Sequence, residues 1–102
     1  SRVGAVELHV REVQALMRAI YYHKDSRRGA LRTWEWLLDE VRELGEAIKA
    51  GDKEAMASEF ADVLAWLASL ANVVGVDLEE AFWYKYPGRC PKCDRTVCAC
   101  PM

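Results

Sequence analysis

Apolar residues recur at helical spacing along most of the chain, and almost nothing alternates as a strand would. Val6, Val10, Val13, Leu16, Met17 and Ile20 form one stripe, which predicts a first helix from about Ala5 to Tyr22. The segment HKDSRRGALR, residues 23–32, is polar and basic and contains a glycine, so it predicts a break. Thr33 then fits an N-cap. Glu35 lies in the first turn, and Trp34, Leu37, Leu38, Val41, Leu44 and Ile48 make the expected buried face of a second helix. Gly51 and Asp52 end that helix and cap the next. A third helix, Lys53 to Val74, is apolar nearly all round beyond Glu59, which predicts a central position. Gly75 stops it, and Asp77 caps a short fourth helix, DLEEAFWYKY, that closes at Pro87-Gly88.

The expected fold is an all-α four-helix bundle over residues 1–87, followed by a short cysteine-rich tail, residues 88–102. A chain of 102 residues is one domain with little surplus to cover a third helix that is apolar on every side. Homo-oligomerisation hides such a surface, and Trp34, Trp36, Trp66 and Trp83 suit either a packed interface or a monomer core. With 52% hydrophobic and 29% charged residues the composition is neither disordered nor membranous. A net charge of -2 makes no electrostatic case for nucleic acid. The segment SRVGAVELHVREV builds no apolar core of a signal peptide, and the apolar stretch around 60–76 is short and interrupted by Asp62, Ser69 and Asn72. The expected location is cytoplasmic, with no membrane partner.

Carboxylates carry the candidate chemistry. Glu40 and Glu43 stand three apart on the second helix, and Glu59 and Asp62 repeat that spacing on the third. Folding the two helices together across a short turn aims both pairs at each other. Four facing carboxylates repel unless a cation lies among them, and an oxygen-only set selects a hard ion such as Mg²⁺ or Mn²⁺. Asp62, flanked by Phe60, Ala61, Val63 and Leu64, is expected to be the deepest member. Trp36 lies one turn before Glu40 and Trp66 one turn after Asp62, so an aromatic wall for a stacked base is expected beside the metal.

Asp39, Glu40 and Glu43, then Glu59 and Asp62, form a pattern that resembles the MazG-type nucleoside triphosphate pyrophosphohydrolases, all-α enzymes. KDSRRG, WLLDEVRELGEAI and DLEEAFWYKY extend the likeness over roughly residues 5–87; Asp39 departs from the glutamate usual there. The resemblance implies hydrolysis of a nucleoside triphosphate between the α and β phosphates, dependent on Mg²⁺ or Mn²⁺ held by Glu40, Glu43, Glu59 and Asp62. It implies Glu43, with Asp39 behind it, as the proton acceptor from water, and Lys24, Arg27, Arg28 and Lys85 as phosphate contacts. A homodimer or homotetramer, with sites completed between subunits, is also implied.

The tail holds Cys90, Cys93, Cys98 and Cys100 within eleven residues, a thiolate set suited to structural Zn²⁺, with disulfides or free thiols as the alternative. Two other functions fit the same residues: a non-catalytic helical oligomer that binds nucleotide or metal, and a zinc-tail module for contact with a protein partner.

Overall fold

The computed structural model describes residues 8–102, so Val6 and the expected start at Ala5 lie outside the described residues. Four helices follow in order: α1 (Val10–Arg28), α2 (Ala30–Ala50), α3 (Lys53–Val74) and α4 (Leu78–Lys85). Among the described residues there is no strand. The chain is therefore all-α, with a cysteine cluster beyond the last helix.

The first helix differs from its expected bounds at both ends. It begins only at Val10, where Glu12 Oε1 accepts from the His9 N–H at 2.8 Å, and it runs on through KDSRR to Arg28. The basic run does not break it because Asp25 and Arg28, one turn apart, form an ion pair at 2.8 Å. The break narrows to Gly29 alone, at φ 84° and ψ 168°, a conformation open to glycine and little else. Thr33 is not the N-cap. It is fully buried in the first turn of α2, and its hydroxyl donates to the Gly29 carbonyl at 2.7 Å.

The other caps follow local rules. Gly51 closes α2 in the left-handed region, Asp52 accepts from the Ala55 N–H at 3.1 Å, and Asp77 accepts from the Glu80 N–H at 2.9 Å. Gln14 ties α1 to the α3–α4 turn: its amide donates to the Val76 carbonyl at 2.7 Å and accepts from the Leu78 N–H at 2.9 Å. Arg11 adds ion pairs to Asp77 at 3.1 Å and Glu79 at 3.2 Å.

Both α1 and α2 pack on α3, which is the centre of the bundle. Yet the buried apolar residues among those described are three alanines, Ala47, Ala68 and Ala71. Trp34, Leu38, Val41 and Ile48 of the expected α2 face are exposed, as are Val10, Leu16 and Ile20 of α1. Periodicity marks these residues as apolar, but the four described helices leave them exposed. The Cα radius of gyration, 16.0 Å, exceeds the ~13 Å of a compact chain near 100 residues. By length and composition alone α3 is long and apolar enough to cross a bilayer, with a mean hydropathy of 1.3 over 18 of its 22 residues, a test that core helices of soluble proteins also pass. In this bundle its neighbours are α1 and α2.

Candidate active site

The two-residue turn at Gly51-Asp52 folds α3 back along α2 and brings Glu40, Glu43 and Glu59 together. One carboxylate oxygen from each lies within 4.8 Å of the others. Glu40 and Glu59 each keep an Oε2 that is fully buried and has no hydrogen-bond partner. Burial raises the Glu40 carboxyl above its ordinary value, and Glu43, Asp62, Glu59 and Asp39 add to the effect by repulsion. Burial likewise raises Glu59, followed by repulsion from Glu43 and Asp62 and a hydrogen bond with Glu43.

The surrounding acids sharpen the contrast. Glu35, Asp39 and Glu46 on α2 each pair with a cation three residues away, Arg32, Arg42 and Lys49 respectively. Glu40, Glu43, Glu59 and Asp62 have no such partner among the described residues. A buried carboxylate without a donor is costly, and no cation among the described residues offsets that cost at these oxygens. An oxygen-only set of this kind fits a hard divalent ion.

Asp62, like Glu40 and Glu59, is half-buried, while Glu43 is exposed. The influence of Asp62 reaches Glu40 and Glu59, and its side chain borders a cavity of about 460 Å³ between α1, α2 and α3. Trp36 and Trp66 line the same cavity, edge to face with ring centroids 5.4 Å apart. Lys24 and Arg28 line it from α1. The Arg28 guanidinium lies 4.8 Å from the centroid of each indole and donates to Asp25 Oδ1 at 2.8 Å. One space thus joins Asp62, both tryptophans and two cations.

Other expected residues lie elsewhere. Arg27 is exposed and does not line the cavity. Lys85 lies on α4 with its Nζ over the Tyr86 ring at 5.7 Å. Asp39 is exposed and turned to Arg42 at 2.8 Å, outside the cluster of Glu40, Glu43 and Glu59. The residue that sequence reasoning missed is Asp25. It is 2% exposed, lines the cavity, and keeps Oδ2 without a partner. A lone acid three residues before an arginine, inside a basic run, is the signal by which it could have been found.

Beyond α4 the Sγ atoms of Cys90, Cys93, Cys98 and Cys100 also lie within 4.8 Å of one another, a second group able to hold a metal. Backbone N–H groups of Ala99 and Arg95 lower the Cys93 thiol to about 6, and those of Cys93 and Lys92 lower Cys90. Cys98, followed by Cys93 and Cys90, pushes Cys100 up to about 11.

Residues 28–94 match the sequence profile of the MazG nucleotide pyrophosphohydrolase domain. The chain belongs to the MazG family. The match takes in α2, α3 and α4, and with them Glu40, Glu43, Glu59 and Asp62; it stops between Cys93 and Cys98. A search of curated proteins returns no match. Membership in the MazG family assigns a nucleotide pyrophosphohydrolase domain in general terms and implies a nucleotide substrate.

Proposed function

We propose that this protein hydrolyses a nucleoside triphosphate between the α and β phosphates, releasing the monophosphate and pyrophosphate, with Mg²⁺ or Mn²⁺ held by Glu40, Glu43, Glu59 and Asp62. The observation that carries the reading is the unpaired carboxylate cluster beside the tryptophan-lined cavity, with Asp62 common to both in its influence. When bound, the cation supplies neutralisation of the triphosphate and Lewis acidity at the reacting phosphate.

The chain's own residues supply the rest. Trp36 and Trp66 offer faces and edges on which a base stacks, in a cavity of the size that small ligands fill. Lys24 and Arg28 bring positive charge to the same wall, Arg28 held in orientation by Asp25. Water attacks the α phosphorus, the bridging oxygen leaves with pyrophosphate, and Glu43 takes the proton. Glu43 is the exposed member of the cluster and shares a hydrogen bond with Glu59, so it reaches both solvent and the buried oxygens. Asp39, engaged with Arg42, is the weaker candidate for that role.

The exposed apolar faces of α1, α2 and α3 favour a homodimer or homotetramer as the working unit. A cytoplasmic enzyme free of nucleic acid and membrane is the setting consistent with its charge and helical packing.

The test is a panel of ribo-, deoxyribo- and modified nucleoside triphosphates incubated with Mg²⁺, with monophosphate, pyrophosphate and orthophosphate measured together. Equal release of monophosphate and pyrophosphate from at least one substrate is the expected result. Orthophosphate with diphosphate places cleavage at the wrong bond, and absence of turnover by metal-replete protein favours the binding-only reading.

A further inference from the structure

We propose that Cys90, Cys93, Cys98 and Cys100 bind one Zn²⁺ as a closed, structural four-thiolate centre that fixes the tail against the end of α4. The spacing is the first argument. Cys90 and Cys100 Sγ are 3.9 Å apart, and a tetrahedron of ~2.3 Å Zn–S bonds has edges of ~3.8 Å. All four thiols are free, and all four are mutually close, so the arrangement is a cluster of four ligands rather than two pairs.

The backbone around the sulfurs is a second argument. The Ala99 N–H donates to Cys93 Sγ at 3.4 Å and the Cys100 N–H to Cys98 Sγ at 3.3 Å, the contacts that orient thiolate ligands from outside the metal. The knuckle itself is closed by Cys90 N–H to the Arg95 carbonyl and Asp94 N–H to the Cys90 carbonyl, both 2.8 Å.

The third argument is that the protein offers little else to hold this loop. Residues 88–102 contain no helix or strand, none of them is buried, and Val97 is 83% exposed. A segment so small cannot build an apolar core, and metal ligation is a standard replacement for one. On binding, the thiols release their protons to solvent, and Zn²⁺ with four thiolates carries two net negative charges. Arg89, Lys92 and Arg95 stand in the same loop against a single acid, Asp94, which Arg89 engages at 3.2 Å. The local charge suits the loaded centre.

Four protein ligands leave no open position, so the centre is structural. Its effect is on the groove where Phe82, Trp83 and Tyr86 of α4 and its end face Arg89 and Arg95. Zinc holds the tail side of that groove in place. Thiolates select Zn²⁺ while the carboxylate cluster selects a hard ion, so the two sites fill independently. Cys90 and Cys93 lie within the family match and Cys98 and Cys100 beyond it, so the matched residues alone do not complete this centre.

The experiment uses the full chain, purified under reducing conditions and stripped of loosely bound ions. Metal analysis should find about one Zn per chain. Replacement by Co²⁺ should give thiolate-to-cobalt charge-transfer absorption with the intense visible bands of a tetrahedral site, a readout that needs no variant. Cys98→Ser and Cys100→Ser should lose the zinc while far-ultraviolet circular dichroism keeps the helical signal, and Glu59→Gln should keep the zinc. The proposal is overturned by cobalt spectra without thiolate bands, by disulfides in the freshly reduced-and-purified chain, or by metal that survives Cys98→Ser and is lost in Glu59→Gln.

Discussion

Asp25 Oδ1 accepts a 2.8 Å hydrogen bond from Arg28 Nη1, and that pairing aims the guanidinium at the two indoles of the cavity. The Asp25 side chain is 3% exposed and that of Arg28 15%. Removing one partner of a buried pair leaves the other without compensation. Asp25→Ala should therefore cost about 3 kcal/mol, measured by urea denaturation. It should also weaken nucleotide binding, because Arg28 loses its fixed direction. A loss well under 1 kcal/mol, roughly the value of a surface pair, contradicts this role.

Glu40 and Glu59 predict an unusual pH dependence in the metal-free protein. Their folded-state carboxyls are raised above the ordinary 4.5. The stability they contribute is fully present below that ordinary value and is lost as pH rises through the raised one. Thermal midpoints from pH 4.5 upward should thus fall more in wild type than in Glu40→Gln. Mg²⁺ or Mn²⁺ should restore the wild type most at the higher pH, where the carboxylates are ionised.

Asp77 predicts the opposite sign in a lower window. The Glu80 N–H, then Arg11, holds its carboxyl below the ordinary 3.8. Its contribution is present above that ordinary value and is lost as pH falls through the lowered one. Asp77→Ala should lower the thermal midpoint at neutral pH, with the gap to wild type closing in strong acid. An unchanging gap across that acid range would show that the cap and the Arg11 pair contribute nothing through ionisation.

Phe60 and Leu64 are 57% and 45% exposed on the central helix. In a homo-oligomer such residues belong in the interface, and Phe60→Glu or Leu64→Glu should raise the subunit dissociation constant at least about tenfold. Analytical ultracentrifugation across a concentration series reads this directly. A wild-type chain that sediments as a monomer at every concentration contradicts the assembly.

How far the sequence speaks depends on how far apart the deciding residues are. Asp52 and Asp77 were readable as caps because each acts on an N–H three residues on. Glu40, Glu43 and Glu59 were readable as neighbours because the turn between their helices is only two residues. Asp25 and Thr33 were misjudged as loop and cap, since burial at the meeting of α1 and α2 decides both. Asp62 was not readable as a wall of the cavity, because that cavity depends on α1, some forty positions away in the chain. The apolar stripes told which residues avoid water, but not that many of them stay exposed on the four helices.

The most direct test of the active-site assignment is pyrophosphate release in Mg²⁺ by wild type, Glu59→Gln and Glu35→Gln side by side, on the substrate the panel identifies. Glu59 keeps a buried oxygen without a donor, whereas Glu35 is exposed and paired with Arg32. Glu59→Gln should slow release by about 100-fold or more, the upper end for disturbing a metal site's supporting shell. Glu35→Gln should leave it unchanged. Undiminished pyrophosphate release by Glu59→Gln contradicts the assignment.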